Sequence, residues 1–260
     1  MVGYISYTPD NRGCTIARRR LLGAQFMEAR LGEDHRLLQR HYAARAARAL
    51  SRTGVRQAVF PLNYPHEDLF IRRGILPVDT LPLYRRMAPL IVKRRMGQLG
   101  LSPGTTTVAV VAEGMTGELE RIVTDLALQV RYVMLSLQIP AEAFCEGLKR
   151  EYGVSIVQQP PRRQLKQADV LLLFRPWEEG EQGSVALHLY DGERVLWRNG
   201  ISFALPRRLM EEVEENCNLP QLLTVLLLGG MLQNYQIPII DVDITGKSYY
   251  NADIVYNADQ

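Results

Sequence analysis

Cysteine is scarce, with 3 in 260 residues, at Cys14, Cys145 and Cys217. None forms a CxxC pair or a Cys/His cluster, so a disulfide framework and a zinc-finger signature are excluded, and an odd, sparse count suits a reducing compartment. The four histidines, His35, His41, His66 and His188, stand in no HxH or HExxH pattern, and there is no G-x-S-x-G. Long hydrophobic runs are also lacking. The most apolar stretch, "LPQLLTVLLLGGMLQNY", is shorter than a membrane span and contains Gln221, Gln233 and Asn234. The opening "MVGYISYTPDNRG" has neither the charged region nor the apolar run of a secretory signal. The expectation is a cytoplasmic, soluble protein without membrane contact.

The chain is long enough for one large domain or two small ones, and it can bury a sizeable core. With 47% hydrophobic and 23% charged residues it has the composition of an ordered globular protein, disorder being expected only at the terminal "NADQ". The net charge is +3 but unevenly placed. Residues 1–100 hold 18 Lys/Arg against 7 Asp/Glu, about +11, and the remainder holds 13 against 21, about −8. Such asymmetry marks an anion-binding face or a contact between oppositely charged surfaces. "ARRR", "IRRG", "YRRM" and "VKRRMG" could contact nucleic-acid phosphates, yet no nucleic-acid-binding motif accompanies them. Solvated helix faces, or docking onto the acidic remainder, explain them more simply.

"VGYISY" reads as a strand, followed by a helical region over about 15–53, broken near Gly32. In its second piece Leu38, Tyr42, Ala46, Ala49 and Leu50 share one arc, with Arg36, Arg40, Arg45, Arg48 and Arg52 outside it. "VRQAVF" and "ILPV" read as short strands and 81–100 as a helix, in which Tyr84, Met87, Leu90, Ile91 and Leu99 recur at helical spacing. "LSPGTT" suggests a boundary near residue 103, separating a basic lobe, 1–102, from 103–260. Beyond it, "TTTVAVVA", "VRYVMLSL", "VSIVQ" and "ADVLLLF" alternate with helical segments. Nearly continuous Val/Leu/Ile strands separated by helices imply a parallel sheet covered on both faces. "SVALHLY", "RVLW" and "ISFAL", separated by Asp-Gly and Asn-Gly turn signals, read as an antiparallel meander. An apolar helix over 219–235 and a strand, "IPIIDVDI", follow.

Residues 106–174 resemble the first half of a Rossmann-type NAD(P)-binding domain, in the layout of amino-acid and shikimate-type dehydrogenases. The resemblance implies an α/β fold with a mainly parallel, doubly wound sheet, to which the C-terminal antiparallel meander is added. It also implies a nucleotide or other anion at the turn "AEGMTG", contacted by Ala112, Gly114, Met115, Thr116, Gly117 and, from the second strand, Ser136. The fingerprint is altered. Ala112 stands where G-x-G-x-x-G has its first glycine, Glu113 brings negative charge to a phosphate position, and "MLSLQ" lacks the ribose-binding carboxylate. Ser136 would tolerate a 2′-phosphate. The helix start at Thr116 still offers backbone N–H groups and a positive dipole end. Lys93 and Asp79 are present, but the lysine motif of the shikimate enzymes is not, so no catalytic role carries over.

Other constellations have plainer explanations. Asp241 and Asp243 share a strand face and could hold Mg²⁺, but lack a third ligand, so a half-buried strand with Ile240 and Val242 opposite is expected. His66, beside Glu67 and Asp68, reads as a helix start more simply than as a general base. Cys14, near a basic run, is a candidate for a lowered pKa. The apolar helix is expected to be core, or else a dimer contact. The leading reading is a non-catalytic or degenerate Rossmann-like protein, with two alternatives open at the turn: a small anion or nucleotide bound there, or Gly114 and Gly117 serving only to let the helix pack against the strand. Its rivals are an NAD(P)-dependent oxidoreductase and a nucleic-acid-associated protein, and homo-oligomerisation stays open.

Overall fold

The computed structural model describes residues 1–8, 13–32, 36–177, 185–191 and 200–243. Compactness divides the chain into two units, Met1–Met87 with Phe203–Pro238 and Ala88–Ser202 with Ile239–Gln260. The division is discontinuous, because 203–238 returns to the first unit. "LSPGTT" lies inside the second.

The first unit holds β1 (Val2–Thr8), β2 (Cys14–Leu21), β3 (Ala24–Gly32), α1 (Arg36–Arg52), β4 (Gln57–Val59), α2 (Glu67–Ile71) and β5 (Leu76–Pro77). Its sheet has the order β2-β3-β1-β4-β5, with β2 antiparallel to β3 and the other pairs parallel. The helix expected from residue 15 is therefore corrected to a β-hairpin over its first half. Ala, Arg, Leu, Met and Glu favour helices in isolation, but propensity yields to pairing. Leu22 and Gly23 form the two-residue turn at φ 48° and 88°, and Leu21 pairs with Ala24.

Successive side chains alternate across this sheet. On one face Ile5, Ala29 and Leu31 pack with Ala43, Ala46, Ala47 and Leu50 of α1. Leu38, expected on that buried arc, is 45% exposed. Gly3 lies at a tight point on this face, since a Cβ there would stand 3.0 Å from the Cβ of Ala58, its register partner on β4, and 3.1 Å from Val55 Cγ1. The opposite face carries Tyr4, Ser6, Phe26 and Glu28, which meet the returning segment. The Tyr4 hydroxyl donates to Glu214 at 2.5 Å, and Arg19 bridges Glu28 (2.7 Å) and Glu214 (2.6 Å). Glu28 is 1% exposed and also accepts from Ser6 Oγ and Arg30 Nε. This matches the rule that a buried charge needs several partners. In the same segment α7 (Leu219–Leu228) is capped by Asn218, and its buried Gln221 accepts the Phe60 N–H at 2.9 Å. Leu222, Leu223, Leu226 and Leu227 are fully buried, as a core helix requires, whereas Leu228 and Met231 are exposed.

The helix α3 (Leu81–Gln98) runs from the first unit into the second. Tyr84, Met87 and Ile91 are buried along it, and Leu99, just past its end, is exposed. The second unit contains β6 (Thr107–Ala112), α4 (Gly117–Gln129), β7 (Tyr132–Leu137), α5 (Glu142–Tyr152), β8 (Ile156–Gln158), α6 (Arg162–Lys166), β9 (Val170–Leu173) and β10 (Val185–His188). These five strands are parallel throughout, in the order β10-β9-β6-β7-β8. Numbered within the unit this is 5-4-1-2-3, which matches five of the six strands of the doubly wound order 3-2-1-4-5-6. The protein is thus α/β, with a mainly parallel Rossmann-like sheet. Val185–His188, expected in the meander, pairs parallel with β9 instead, while "RVLW" lies outside the described residues. Two-strand pairing near the C-terminus comes from β11 (Gly200–Phe203) and β12 (Ile239–Asp243).

Candidate functional site

In an open parallel sheet, ligands bind beyond the carboxyl ends of the strands, where the strand order reverses. Here that reversal falls between β6 and β9. The turn 113–116 leaves β6 at this end, so the structure puts "AEGMTG" at the switch point. Ala112 is buried, pairs with Leu137 of β7, and is absent from the positive-φ residues. It therefore ends the strand rather than making the tight turn a first glycine would make. The Glu113 carbonyl accepts the Gln138 and Ile139 N–H groups at 2.9 and 3.1 Å, tying the turn to the β7–α5 loop, while its side chain is exposed.

Gly114 and Gly117 also lack positive φ. A Cβ on Gly114 would make only ordinary contact with Ile139, at 3.6 Å, and one on Gly117 would meet nothing within 4 Å. Neither glycine is demanded by conformation or by helix–strand packing in this arrangement. Thr116 is the N-cap of α4, and its hydroxyl accepts from the Leu119 N–H at 3.2 Å. The Gly117 N–H makes no hydrogen bond among the described residues. Ser136 lies one residue back from the end of β7, in register with Val111 and half-buried. Met115 is half-buried in the turn.

Two residues at this edge escaped sequence reasoning. Arg175 follows the buried run "VLLLF" directly, and its Nε donates to the Ala112 carbonyl at 3.2 Å, across the reversal of strand order. Its Nη1 reaches the Pro176 carbonyl only at 3.5 Å, and its Nη2 has no partner among the described residues. The available signal was a lone arginine ending a run of apolar strand residues. Gln159 adopts φ 48° after β8. Its N–H donates to Leu135 O at 2.9 Å and its side-chain amide to Leu137 O at 2.5 Å, closing the end of β7. Asp169, of "ADV", lies at the opposite end and accepts the Thr107 N–H at 2.8 Å, which pins β9 to β6.

The other candidates fall elsewhere. His66 precedes α2 without capping it by its side chain, and Glu67 and Asp68 occupy that helix's first turn. Burial raises the Glu67 carboxyl. The expected lowering at Cys14 is corrected: burial raises its thiol, and the nearby Arg45 offsets this only in part. Cys145 is raised by burial too, and Cys217 is pushed up to about 11 by burial first, with Glu214 adding to it. No cysteine with a shifted pKa is thereby activated as a thiolate. Asp79 accepts the Leu81 N–H at the start of α3, and Asp241 accepts from Gln98 and from the Val242 N–H. On β12 Val242 is buried but Ile240 is 47% exposed. Among the described residues no three His, Cys, Asp or Glu side chains come together as metal ligands, and no helix is long and apolar enough to cross a membrane.

No protein-family model and no curated protein matches the chain. Solved structures to which it is similar include L-tryptophan dehydrogenase from Nostoc punctiforme, at 12% identity and a TM-score of 0.34, covering 74% of this chain and 63% of that one. Ligand-free aspartate transcarbamoylase from Trypanosoma cruzi matches at 17% identity and 0.30, covering 56% and 57%. Shikimate 5-dehydrogenase from Listeria monocytogenes, solved with shikimate and NAD, matches at 9% and 0.28, covering 72% and 77%. The chain spans under two thirds of the first two, and likenesses this distant carry no functional argument.

Proposed function

We propose that the second unit binds a small anionic ligand, a phosphate or a nucleotide phosphate, at the carboxyl edge of β6 and β9. The observation that carries this reading is the Arg175 guanidinium, held by the Ala112 carbonyl at the switch point beside the chain that leads into α4. A 13-residue helix directs a positive dipole end to its start. Arg175 adds a full charge with a donor to spare, in a half-buried setting where an ion pair is screened less than in open water.

The donor set fits an anion better than a dinucleotide. Residues 135–138, Leu-Ser-Leu-Gln, supply no carboxylate for a ribose, and Gln159 already occupies the Leu137 carbonyl. Ala112 is buried in strand register. The reading is therefore of binding without redox chemistry, and no reaction step is assigned to any residue.

Thermal-shift titration of the whole chain with inorganic phosphate, ATP, NAD and NADP tests it. A ligand at about 100 times its Kd stabilises the fold by roughly 2.7 kcal/mol. Phosphate or ATP should raise the melting temperature, and Arg175→Ala should abolish that rise while leaving the unliganded protein folded. Stabilisation by NAD or NADP alone, with nicotinamide reduction in the presence of a substrate, would replace this reading by the oxidoreductase one. No shift with any of the four would end it.

A further inference from the structure

A groove of about 430 Å³ runs between α4 and α5 on the outside of the parallel sheet. Its rim carries Glu120 and Asp125 from α4 and Glu151 from α5, and Phe144 and Tyr152 line it. One cation stands among them, Arg121, whose Nε is turned to the Gly117 carbonyl at 3.3 Å. Of these Tyr152 is 48% exposed, and Phe144 is half-buried. Large apolar side chains within an acidic rim are the usual make-up of a surface that receives another element.

Gly147 sharpens the point. It sits in the middle of α5, has no positive φ, and a Cβ there would meet nothing within 4 Å. Glycine in a helix interior costs about 1 kcal/mol relative to alanine. Neither the conformation nor any neighbour among the described residues requires it. The missing side chain leaves the groove deep enough for something to lie in it.

The first unit carries a surface of matching chemistry. On α1, Leu38, His41, Arg45, Arg48 and Arg52 are exposed at spacings of 3, 4, 3 and 4 residues, which places them on one stripe. The ion pairs among the described residues involve Arg19, Arg30 and Arg72, and none involves an arginine of α1. A helix with an apolar end and a row of arginines suits a groove with an apolar floor and acidic rim.

We propose that this groove receives α1 of a second copy of the same chain. Charge complementarity is present on both sides within one sequence, so no other partner need be supplied. Since the two surfaces differ, a reciprocal pair makes a closed dimer, and a non-reciprocal contact makes an open chain of copies. The attraction between exposed charges is salt-dependent, because the screening length shrinks from about 10 Å at 0.1 M to about 3 Å at 1 M.

Light scattering on the full chain across salt and protein concentration tests this. Wild type should self-associate at low salt and dissociate at high salt. Two charge-reversed variants, Arg45→Glu with Arg48→Glu, and Glu120→Arg with Glu151→Arg, should each be monomeric at low salt. Their equimolar mixture should re-associate, because each reversed α1 then faces a reversed groove. Gly147→Leu should keep the circular dichroism of the wild type, fill the groove and weaken association about tenfold or more, the loss appearing mainly in the dissociation rate. A wild type that stays monomeric at low salt and high concentration would overturn the proposal, as would association that survives both reversals or a mixture that fails to re-associate. Binding of a basic helical peptide to a monomeric wild type would likewise overturn it, by giving the groove to a different protein.

Discussion

The two five-stranded sheets are held by different means. In the second unit, β6, β7 and β9 carry apolar side chains toward both faces. Ala109, Val111, Met134, Leu171 and Leu173 form one cluster with Leu165 of α6, while Leu119, Ile122, Val123 and Leu126 are buried along α4. The covering helices are the crossovers between consecutive strands, so each covering element is adjacent in sequence to what it covers. In the first unit only one face is closed in this way, by α1. The other face meets a segment about 200 residues away in the chain, and the join includes a buried carboxylate, Glu28, with Arg19, Tyr4 and Glu214 around it. A sheet closed by its own crossovers is stabilised mostly by apolar burial, which is non-directional. A sheet closed by a distant segment also needs directional contacts that select one docking geometry.

The sharpest way to break this contrast is to remove the buried carboxylate. Glu28→Ala leaves Arg19 with one partner fewer in a largely buried position, and the expected loss is about 3–5 kcal/mol. Denaturant titration followed at Tyr4 and at a probe in the second unit should show the first unit melting earlier. A loss below about 1 kcal/mol would mean that the cluster is a surface feature in energetic terms.

Cys217 sharpens the same contrast through pH. Its folded pKa is raised to about 11, so the fold favours the neutral thiol. That contribution is complete below the unfolded thiol's pKa, about 8.5, and is lost as pH rises through about 11. Its size is on the order of 3 kcal/mol, at about 1.4 kcal/mol for each unit between those two values. Stability of the first unit measured from pH 8 upward should fall over this window, and Cys217→Ala should flatten the fall.

The smallest effects come from a pair of glycines. Gly3→Ala forces a Cβ to 3.0 Å from Ala58 in the tight layer under α1, and should cost about 1–3 kcal/mol. Gly117→Ala adds a Cβ into open space at a helix start and should change stability by no more than about 0.5 kcal/mol. Equal effects would show that close packing does not distinguish the two sheets.

These differences also explain which parts could be read in advance. "TVAVVA", "YVMLSL" and "VLLL" announce buried parallel strands because such strands are apolar on both faces, and the turn at 113–116 follows from the alternation with α4. β2 and β3 could not be read so. Their residues have helical propensities, and Glu28 and Arg19 look like solvent-facing charges until Glu214 arrives. At the candidate site, Thr116 as N-cap was legible from its place before an amphipathic helix. Arg175 was not, because its significance depends on β9 lying next to β6.

Local content was therefore written in the chain: which runs are apolar on both faces, that helical segments alternate with them, and that charge is unequal between the first 100 residues and the rest. Tertiary structure alone decided that residues 15–32 are strands, that 203–238 closes the first sheet, and that Arg175 meets Ala112. The physical reason is range. Periodicity and capping are set by neighbours within a few residues, whereas strand pairing and buried ion pairs take their free energy from partners that only the completed fold brings together.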